Sequence, residues 1–171
     1  MTGNAGDVMK ESYAVASATA YSVVDSITQS DKIIHLHFQD VAIPKDGPSA
    51  GLAMTLVLLS RILGVEIDNN LGVTGEMHIS RHVGIIGGLE DKIYGSTLSN
   101  ISKFIAPFEN YRDVEGFVQF EELEKTEHDE RVECKLRDKE SGKTIEIHFC
   151  NTLKVAAKIA FPNPEKVLEY L

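Results

Sequence analysis

The sequence predicts an α/β fold of the α+β kind, with helices packed on a mixed sheet. Two observations lead to this: segments with helical apolar spacing alternate with short strand-like runs, and no internal repeat is present. A chain of 171 residues is the length of one domain with a single sizeable core. Its 43% hydrophobic and 25% charged residues are typical of globular proteins and argue against disorder.

Four helices are predicted. Apolar residues recur at helical spacing from Met9 onward, which indicates a helix over residues 7–27. The turn-forming stretch 44–48 is followed by an apolar run to Leu63, long enough for a mostly buried helix, so Ser49 should lie at a loop-to-helix junction. A shorter helix is expected over residues 89–100. Another is expected to end at Phe161 after a cap at Asn151 or Thr152.

Strands are predicted between these helices. Residues 33–39 alternate apolar and polar side chains, as in a strand with one buried face. Further strand-like runs cover residues 71–79, 82–86 and 103–107, and a hairpin is expected from 131–138 and 143–150 around a turn at 140–142. The acidic stretch 121–133 is interpreted as a solvated loop or helix.

Charge and cysteine content exclude several classes of protein. A formal net charge of −9, without a run of basic residues, argues against nucleic-acid binding. The two cysteines suggest buried free thiols in a reducing compartment rather than a disulfide framework. The longest apolar stretch, 52–59, is too short to span a bilayer. We therefore expect a soluble cytoplasmic protein without membrane contact, and the mitochondrial matrix stays open as an alternative.

Ser49 is the candidate nucleophile. A serine before a helix is usually a cap, but here unpaired backbone N–H groups and the positive end of the helix could also stabilise an oxyanion. The hydroxyl still needs a base. The six histidines leave a Ser-His-Asp triad formally possible. The other candidate is Lys92, which lies among apolar and glycine residues, because a lysine acts as a base where burial lowers its pKa.

Three other patterns are weaker. The sequence Ser141-Gly142-Lys143-Thr144 ends like a phosphate loop but has Arg137 where that motif requires glycine, so a hairpin turn explains it better. His35 and His37 lie on one strand face without a third ligand at metal-binding spacing, which favours packing or hydrogen bonding near the site. Asp46 either tunes the site electrostatically or holds the turn, and these two interpretations are evenly matched.

Ordered blocks of the sequence resemble the proteolytic domain of Lon proteases. These blocks are 2–12, His35-Leu36-His37, 44–51 (Pro-Lys-Asp-Gly-Pro-Ser-Ala-Gly), Thr74-Gly75-Glu76, Gly87-Gly88-Leu89 with Lys92, and 107–110. The resemblance covers residues 2–113, with a weaker echo over 145–161. It implies a Ser/Lys dyad of Ser49 and Lys92, Thr74 near the lysine ammonium, and supporting positions at Asp46, Gly47, Ala50 and His35.

The resemblance also implies a biological setting. Lon proteolytic domains degrade unfolded or damaged proteins inside a hexameric ring, driven by an AAA+ ATPase module. We therefore expect protein or peptide substrates, an ATPase module in cis or in trans, and a possible homo-hexamer of the full-length protein. No cofactor or metal is expected in this chain, and ATP and Mg would belong to the ATPase module.

The chain departs from the family pattern at its start, in an added segment, and in a short connection between the first helix and the His35 strand. It starts at the Thr-Gly motif, so we expect one N-terminally trimmed domain over residues 1–171, and residues 118–144 are predicted to be an insertion. These departures indicate a divergent Lon-like protein. They leave an alternative open, in which the domain is catalytically silent, or acts only on itself or one partner, and is retained for ring assembly or partner binding.

Overall fold

The computed structural model describes residues 1–24 and 33–171. The helices are α1 Asp7–Val24, α2 Gly51–Leu63, α3 Leu89–Leu98, α4 Leu153–Ala160 and the short α5 Glu165–Leu168, with a 3-10 helix at Phe108–Gly116. The four predicted helices are thereby confirmed, although residues 25–27 of the first lie outside the described part. Thr152 is the cap of α4, since its side chain accepts a hydrogen bond from the Val155 N–H. The 3-10 helix and α5 were not predicted.

The strands form one mixed sheet and one small hairpin. In chain order they are β1 Leu71–Val73, β2 Glu76–Met77, β3 Val83–Gly84, β4 Lys103–Pro107, β5 Phe120–His128, β6 Arg131–Asp138 and β7 Thr144–Cys150. The sheet order is β1-β4-β7-β6-β5, with parallel pairs β1·β4 and β4·β7 and antiparallel pairs β5·β6 and β6·β7. The predicted mixed sheet and the β6–β7 hairpin are confirmed. Strands β2 and β3 pair separately.

The two faces of the sheet build two buried clusters. Successive side chains of a strand point to opposite faces, and β4 shows this directly. Ile105 belongs to a cluster with residues of α1, α2 and α4, such as Ala16, Leu52 and Ala156, whereas Phe104 belongs to a second cluster with Ile93 of α3. The helix that bears Lys92 thus packs on the opposite face from the helix that follows Ser49.

The prediction of a strand over residues 33–39 is wrong. The segment is extended, and with the described residues 1–24 and 33–171 it forms only one isolated bridge, between Thr2 and His37. The alternation was interpreted correctly, because Ile34, Leu36 and Phe38 are half-buried against the first cluster. Within the part of the chain that the structure describes, only the Thr2 backbone bonds to the segment, through Thr2 N–H to Leu36 O at 3.0 Å and Phe38 N–H to Thr2 O at 3.0 Å, and no ladder forms.

The solvated loop or helix predicted over residues 121–133 is also wrong. Residues 121–128 belong to β5, an edge strand that pairs with β6 through its backbone. Every side chain of β5 after Phe120 is exposed, so neither face shows the apolar alternation that reveals a strand. Charges on such an edge also discourage pairing with another chain. The predicted insertion, 118–144, therefore contains the whole β5–β6 pair.

The strand predicted over residues 71–79 is interrupted. It divides into β1 and β2 at Thr74 and Gly75, and the chain there turns toward the start of α2. The strand predicted over 82–86 is present only as β3. Among residues 1–24 and 33–171, no helix combines the length and the hydropathy that crossing a membrane requires.

Candidate active site

Ser49 lies in the turn that leads into α2, as the sequence predicts. Ala50 is the N-cap residue of this helix, and both residues are half-buried. Gly51, the first helical residue, is fully packed: a Cβ there would come within 2.8 Å of the Met77 backbone nitrogen. Only glycine lets the start of α2 approach β2 this closely.

The break between β1 and β2 holds the backbone of Ser49. The Gly75 N–H donates to the Ser49 carbonyl at 2.8 Å, and the Thr74 hydroxyl donates to the same oxygen at 3.2 Å. In return, the Leu52 N–H donates to the Gly75 carbonyl at 3.0 Å. Since Thr74 is buried and its own N–H bonds to Ile105 O in the central sheet, these contacts connect Ser49 rigidly to the core.

Glycine is required at position 75 by the close packing of this break. Its φ is 157°, and a Cβ would lie 2.7 Å from Val83 Cγ1 and 3.3 Å from the Leu52 side chain. Any larger residue would push α2 and β3 away from β1. The Thr74-Gly75 pair is thus needed for backbone geometry as well as for its hydroxyl.

An open cleft of about 460 Å³ brings together the candidate catalytic residues. Ser49, Ala50, Thr74 and Lys92 all line it. The rest of its wall comes from β1, α3, the loop after α3 and strand β4: Gly72, Val73, Gly95, Ser96, Ser99, Ile101 and Phe104. Residues that are far apart in sequence and on opposite faces of the sheet therefore meet at one sheet edge, since β1 is an edge strand.

Lys92 is half-buried on α3, one turn after the Gly87-Gly88 loop. Its Nζ donates to the Gly87 carbonyl at 2.8 Å. Within the described residues it makes no hydrogen bond to Ser49 Oγ, so the two side chains share a cleft without being joined. Gly88, with φ 65° and ψ 38°, is the N-cap of α3 and sets the direction in which this helix leaves the loop.

The backbone donors near Ser49 are partly occupied. The Gly51 N–H bonds to Pro48 O at 3.0 Å and the Leu52 N–H bonds to Gly75 O, so neither is free for an oxyanion. Among the residues that the structure describes, the Ala50 N–H has no protein acceptor. The same holds for the Ser49 N–H, so the free backbone donors beside the cleft belong to Ser49 and to the supporting residue Ala50.

Asp46 and Gly47 hold the loop rather than line the cleft. Asp46 Oδ1 accepts the Met9 N–H and the Gly47 N–H, each at 2.9 Å. These bonds, that from Met9 first, lower the pKa of the Asp46 carboxyl. Because Met9 lies in the first turn of α1, Asp46 caps that helix from a distant loop. Of the two interpretations left open for Asp46, the contacts support the one in which it holds the turn.

None of the six histidines lines the cleft with Ser49. The exposed His35 and His37 both contact the Thr2 hydroxyl, at 3.0 Å through His35 Nε2 and at 2.7 Å through His37 Nδ1. His35 is thus a partner of the N-terminal segment. In the described ranges 1–24 and 33–171, no group of three or more His, Cys, Asp or Glu side chains is arranged to hold a metal ion.

Asn110 is a residue near the site for which the sequence suggested no role. It is fully buried, and its side chain pairs with both backbone groups of Ile86: the Ile86 N–H donates to Oδ1 at 3.0 Å, and Nδ2 donates to Ile86 O at 2.9 Å. This fixes the loop just before Gly87, whose carbonyl binds Lys92. A buried amide can replace a strand partner in this way, but only the fold shows which backbone it meets.

The remaining sequence patterns are structural. Cys134 and Cys150 are buried free thiols, as predicted, and burial raises the pKa of each to about 12. Gly142 adopts a φ of 71° in the turn between β6 and β7, and its N–H donates to Asp138 O at 2.8 Å. The stretch 141–144 is therefore the hairpin turn that was expected.

Comparison with known proteins agrees with this architecture. Residues 1–127 match the family of Lon protease (S16) C-terminal proteolytic domains, and the chain belongs to this family. It is 33% identical over 172 residues to the Lon protease of Protochlamydia amoebophila, covering 98% of this chain and 18% of that protein. It is 34% identical over 175 residues to the mitochondrial Lon protease homolog 1 of Dictyostelium discoideum, covering 99% and 16%.

A shorter match has higher identity. The Lon protease of Clostridium beijerinckii is 37% identical over 116 residues, which is 67% of this chain and 15% of that protein. The chain thus spans less than a fifth of the length of these relatives. The predicted family and the α/β fold class are confirmed, and the match is to the proteolytic part of a longer type of protein.

Proposed function

We propose that this domain is a serine endopeptidase in which Ser49 is the nucleophile and Lys92 is the general base. The observation that supports this most is the single cleft lined by Ser49, Thr74 and Lys92, with the Ser49 backbone held by two donors from the β1–β2 break. The absence of histidines from that cleft favours a lysine base over a triad.

In the first half of the reaction, neutral Lys92 takes the hydroxyl proton of Ser49 while Ser49 Oγ bonds to the scissile carbonyl carbon. The carbonyl electrons move to its oxygen, and the Ala50 N–H donates to this oxyanion at the positive end of α2. Collapse of the tetrahedral intermediate breaks the C–N bond. Lys92 returns its proton to the leaving amine, and an acyl-enzyme remains on Ser49.

In the second half, water replaces the departed amine in the open cleft. Lys92 accepts a proton from this water as its oxygen attacks the acyl carbon. Collapse of the second intermediate breaks the bond to Ser49 Oγ, which recovers the proton from Lys92. The new carboxyl end leaves and both residues return to their starting protonation states.

This chemistry requires Lys92 to release the Gly87 carbonyl. Lysine has a flexible four-carbon stem, so Nζ can move to Ser49 without a shift of the helix. Substrate in the cleft, or a neighbouring subunit, would exclude water and favour the new contact. We propose that the bond from Lys92 to Gly87 holds a resting position of the base.

The wider role rests on the family and on the names of relatives. We propose that the domain works with an AAA+ ATPase module, in cis or in trans, on unfolded or damaged proteins, and that the full-length protein forms a hexamer. The cytoplasm is the proposed compartment. The mitochondrial matrix is the alternative, since some relatives carry mitochondrial names.

Cleavage of an unfolded protein such as casein by the purified chain tests the proposed activity. Slow cleavage in wild type that is lost in both Ser49→Ala and Lys92→Met would support it. Undiminished cleavage in either variant would overturn the assignment of that residue. Circular dichroism of each variant checks that loss of activity is not loss of fold.

A catalytically silent domain is the second candidate, and the bond from Lys92 Nζ to Gly87 O favours it. A domain kept for ring assembly or partner binding could retain the cleft while its base stays bound to the loop. Such a domain would cleave no peptide at any pH, even when it is mixed with an ATPase module from a relative. Cleavage that appears on assembly would instead support the resting-position proposal.

A further inference from the structure

Helix α3, which bears Lys92, is hydrogen-bonded at both ends to residues of segment 118–144. At its first turn, Glu90 Oε1 accepts the backbone N–H of Gln119 at 2.6 Å. At its last turn, Lys143 Nζ donates to the Thr97 carbonyl at 3.2 Å, and just beyond the helix it donates to Asn100 Oδ1 at 2.9 Å. A lysine at the C-terminal end of a helix satisfies unpaired carbonyls and complements the helix dipole.

The two residues that contact α3, Gln119 and Lys143, are also linked to each other by hydrogen bonds. Gln119 Nε2 donates to Oδ1 of the buried Asp138 at 2.6 Å, and the Lys139 N–H donates to Gln119 O at 3.0 Å. The Asp138 N–H donates in turn to Lys143 O at 2.8 Å. Gln119 and Lys143 are therefore connected through the end of β6 and its turn.

Apolar side chains also join α3 to strands β5 and β6 between these two sets of hydrogen bonds. Leu89 and Ile93, on the inner face of α3, share a buried cluster with Phe120 of β5 and Leu136 of β6. Lys92 lies beside this buried face of the helix, where it lines the cleft. A shift or rotation of α3 would thus move Lys92 Nζ relative to Ser49, and displacements of about 1 Å can strongly reduce catalysis.

We propose that segment 118–144 is a brace that sets the position of α3, with Gln119 and Lys143 as positioning residues for Lys92. The proposal rests on the proposed function of Lys92 as base. It gives a role to a segment for which the sequence suggested none. The first end of the brace, at Gln119, contacts the start of α3, and its other end, at Lys143, contacts the end of α3.

The test uses Lys143→Met and Glu90→Ala, with Lys139→Met as the matched control. Lys139 is on the same turn, but its Nζ donates to Val118 O inside the segment rather than to α3. Hydrogen exchange of a peptide covering residues 89–98 reports on the helix itself. Loss of a hydrogen bond to a charged group should speed exchange there roughly tenfold in the two test variants. Lys139→Met should leave it unchanged.

Kinetics on a short peptide substrate provide the second measurement. Both test variants should lower kcat severalfold with little change in KM, because the base is misplaced while the binding wall is retained. Lys143→Arg, which keeps a donor at this place, should restore kcat. Exchange in Lys143→Met and Glu90→Ala that equals the control would overturn the brace. Faster exchange with unchanged kcat would overturn the positioning of Lys92.

The proposed function can fail separately. If Lys92→Met keeps full activity, Lys92 is not the base, and the brace cannot position a catalytic lysine. The exchange experiment then still decides whether segment 118–144 holds α3, because it does not depend on activity. The two failures are therefore distinguishable from the same set of proteins.

Discussion

The Gly75 N–H donates to the Ser49 carbonyl oxygen at 2.8 Å, and this bond joins the candidate nucleophile to the end of strand β1. The Thr74 hydroxyl binds the same oxygen from the side. Ser49 thus has a backbone fixed by the sheet and a side chain in the cleft. A nucleophile needs this combination, because the backbone must hold Oγ in position while the hydroxyl itself stays free to attack.

Replacing Thr74 with Val should test the second of these bonds. Val has the same shape but no hydroxyl, so the Ser49 carbonyl loses one donor and the protein should lose about 1 kcal/mol of unfolding free energy. Peptide cleavage should fall severalfold as the turn loosens. Urea unfolding and a peptide assay measure the two effects. Thr74→Ser, which keeps the hydroxyl, is the control, and equal behaviour of both variants would contradict this role for the hydroxyl.

The rate of peptide cleavage should rise from neutral toward alkaline pH. Lys92 accepts the Ser49 proton only when it is neutral, and a higher pH increases the neutral fraction. Lys92→Met should reduce kcat by at least about 100-fold and remove this dependence. A pH-rate profile of wild type and variant measures it. A rise in rate centred at about pH 6.5 that survives in Lys92→Met would point to an imidazole base instead.

Asp46 should contribute stability that is lost in acid. Its pKa is lowered by the N–H groups of Met9 and Gly47, so its contribution is fully present above the ordinary carboxyl pKa of about 4 and disappears as pH falls through the lower folded-state value. Asp46→Asn should therefore be less stable than wild type at pH 7. Denaturant unfolding across pH should show this difference closing below about pH 4. A constant difference down to pH 2 would contradict this assignment.

Helix-forming and fully buried segments were predictable because their patterns are local. The spacing of apolar residues defined α1 and α2, and the run at 103–107 matches β4 residue for residue. Strand β5 was missed since both of its faces are solvated, so its residues show no alternation. The segment 33–39 shows alternation without a ladder, because alternation reports which side is buried and not which backbone lies beside it.

The candidate site was predictable in its residues but not in its contacts. Ser49 and Lys92 were singled out by setting and by resemblance, and they do line one cleft. Neither signal could show that Lys92 Nζ rests on Gly87 O or that Asp46 caps α1, because both contacts depend on how loops approach helices from other parts of the chain. Asn110 is a similar case, since its partner Ile86 is 24 residues away.

Covalent labelling can show whether Ser49 is a nucleophile activated within this cleft. A fluorophosphonate probe forms a P–O bond to an activated serine and releases fluoride, and mass spectrometry locates the adduct. Ser99→Ala is the matched control, because Ser99 lines the same cleft but donates its hydroxyl to Gly95 O. We expect labelling at Ser49 in wild type and in Ser99→Ala, slower labelling in Lys92→Met, and none in Ser49→Ala. Labelling that persists in Ser49→Ala, or that maps to Ser96 or Ser99, would contradict this role of Ser49.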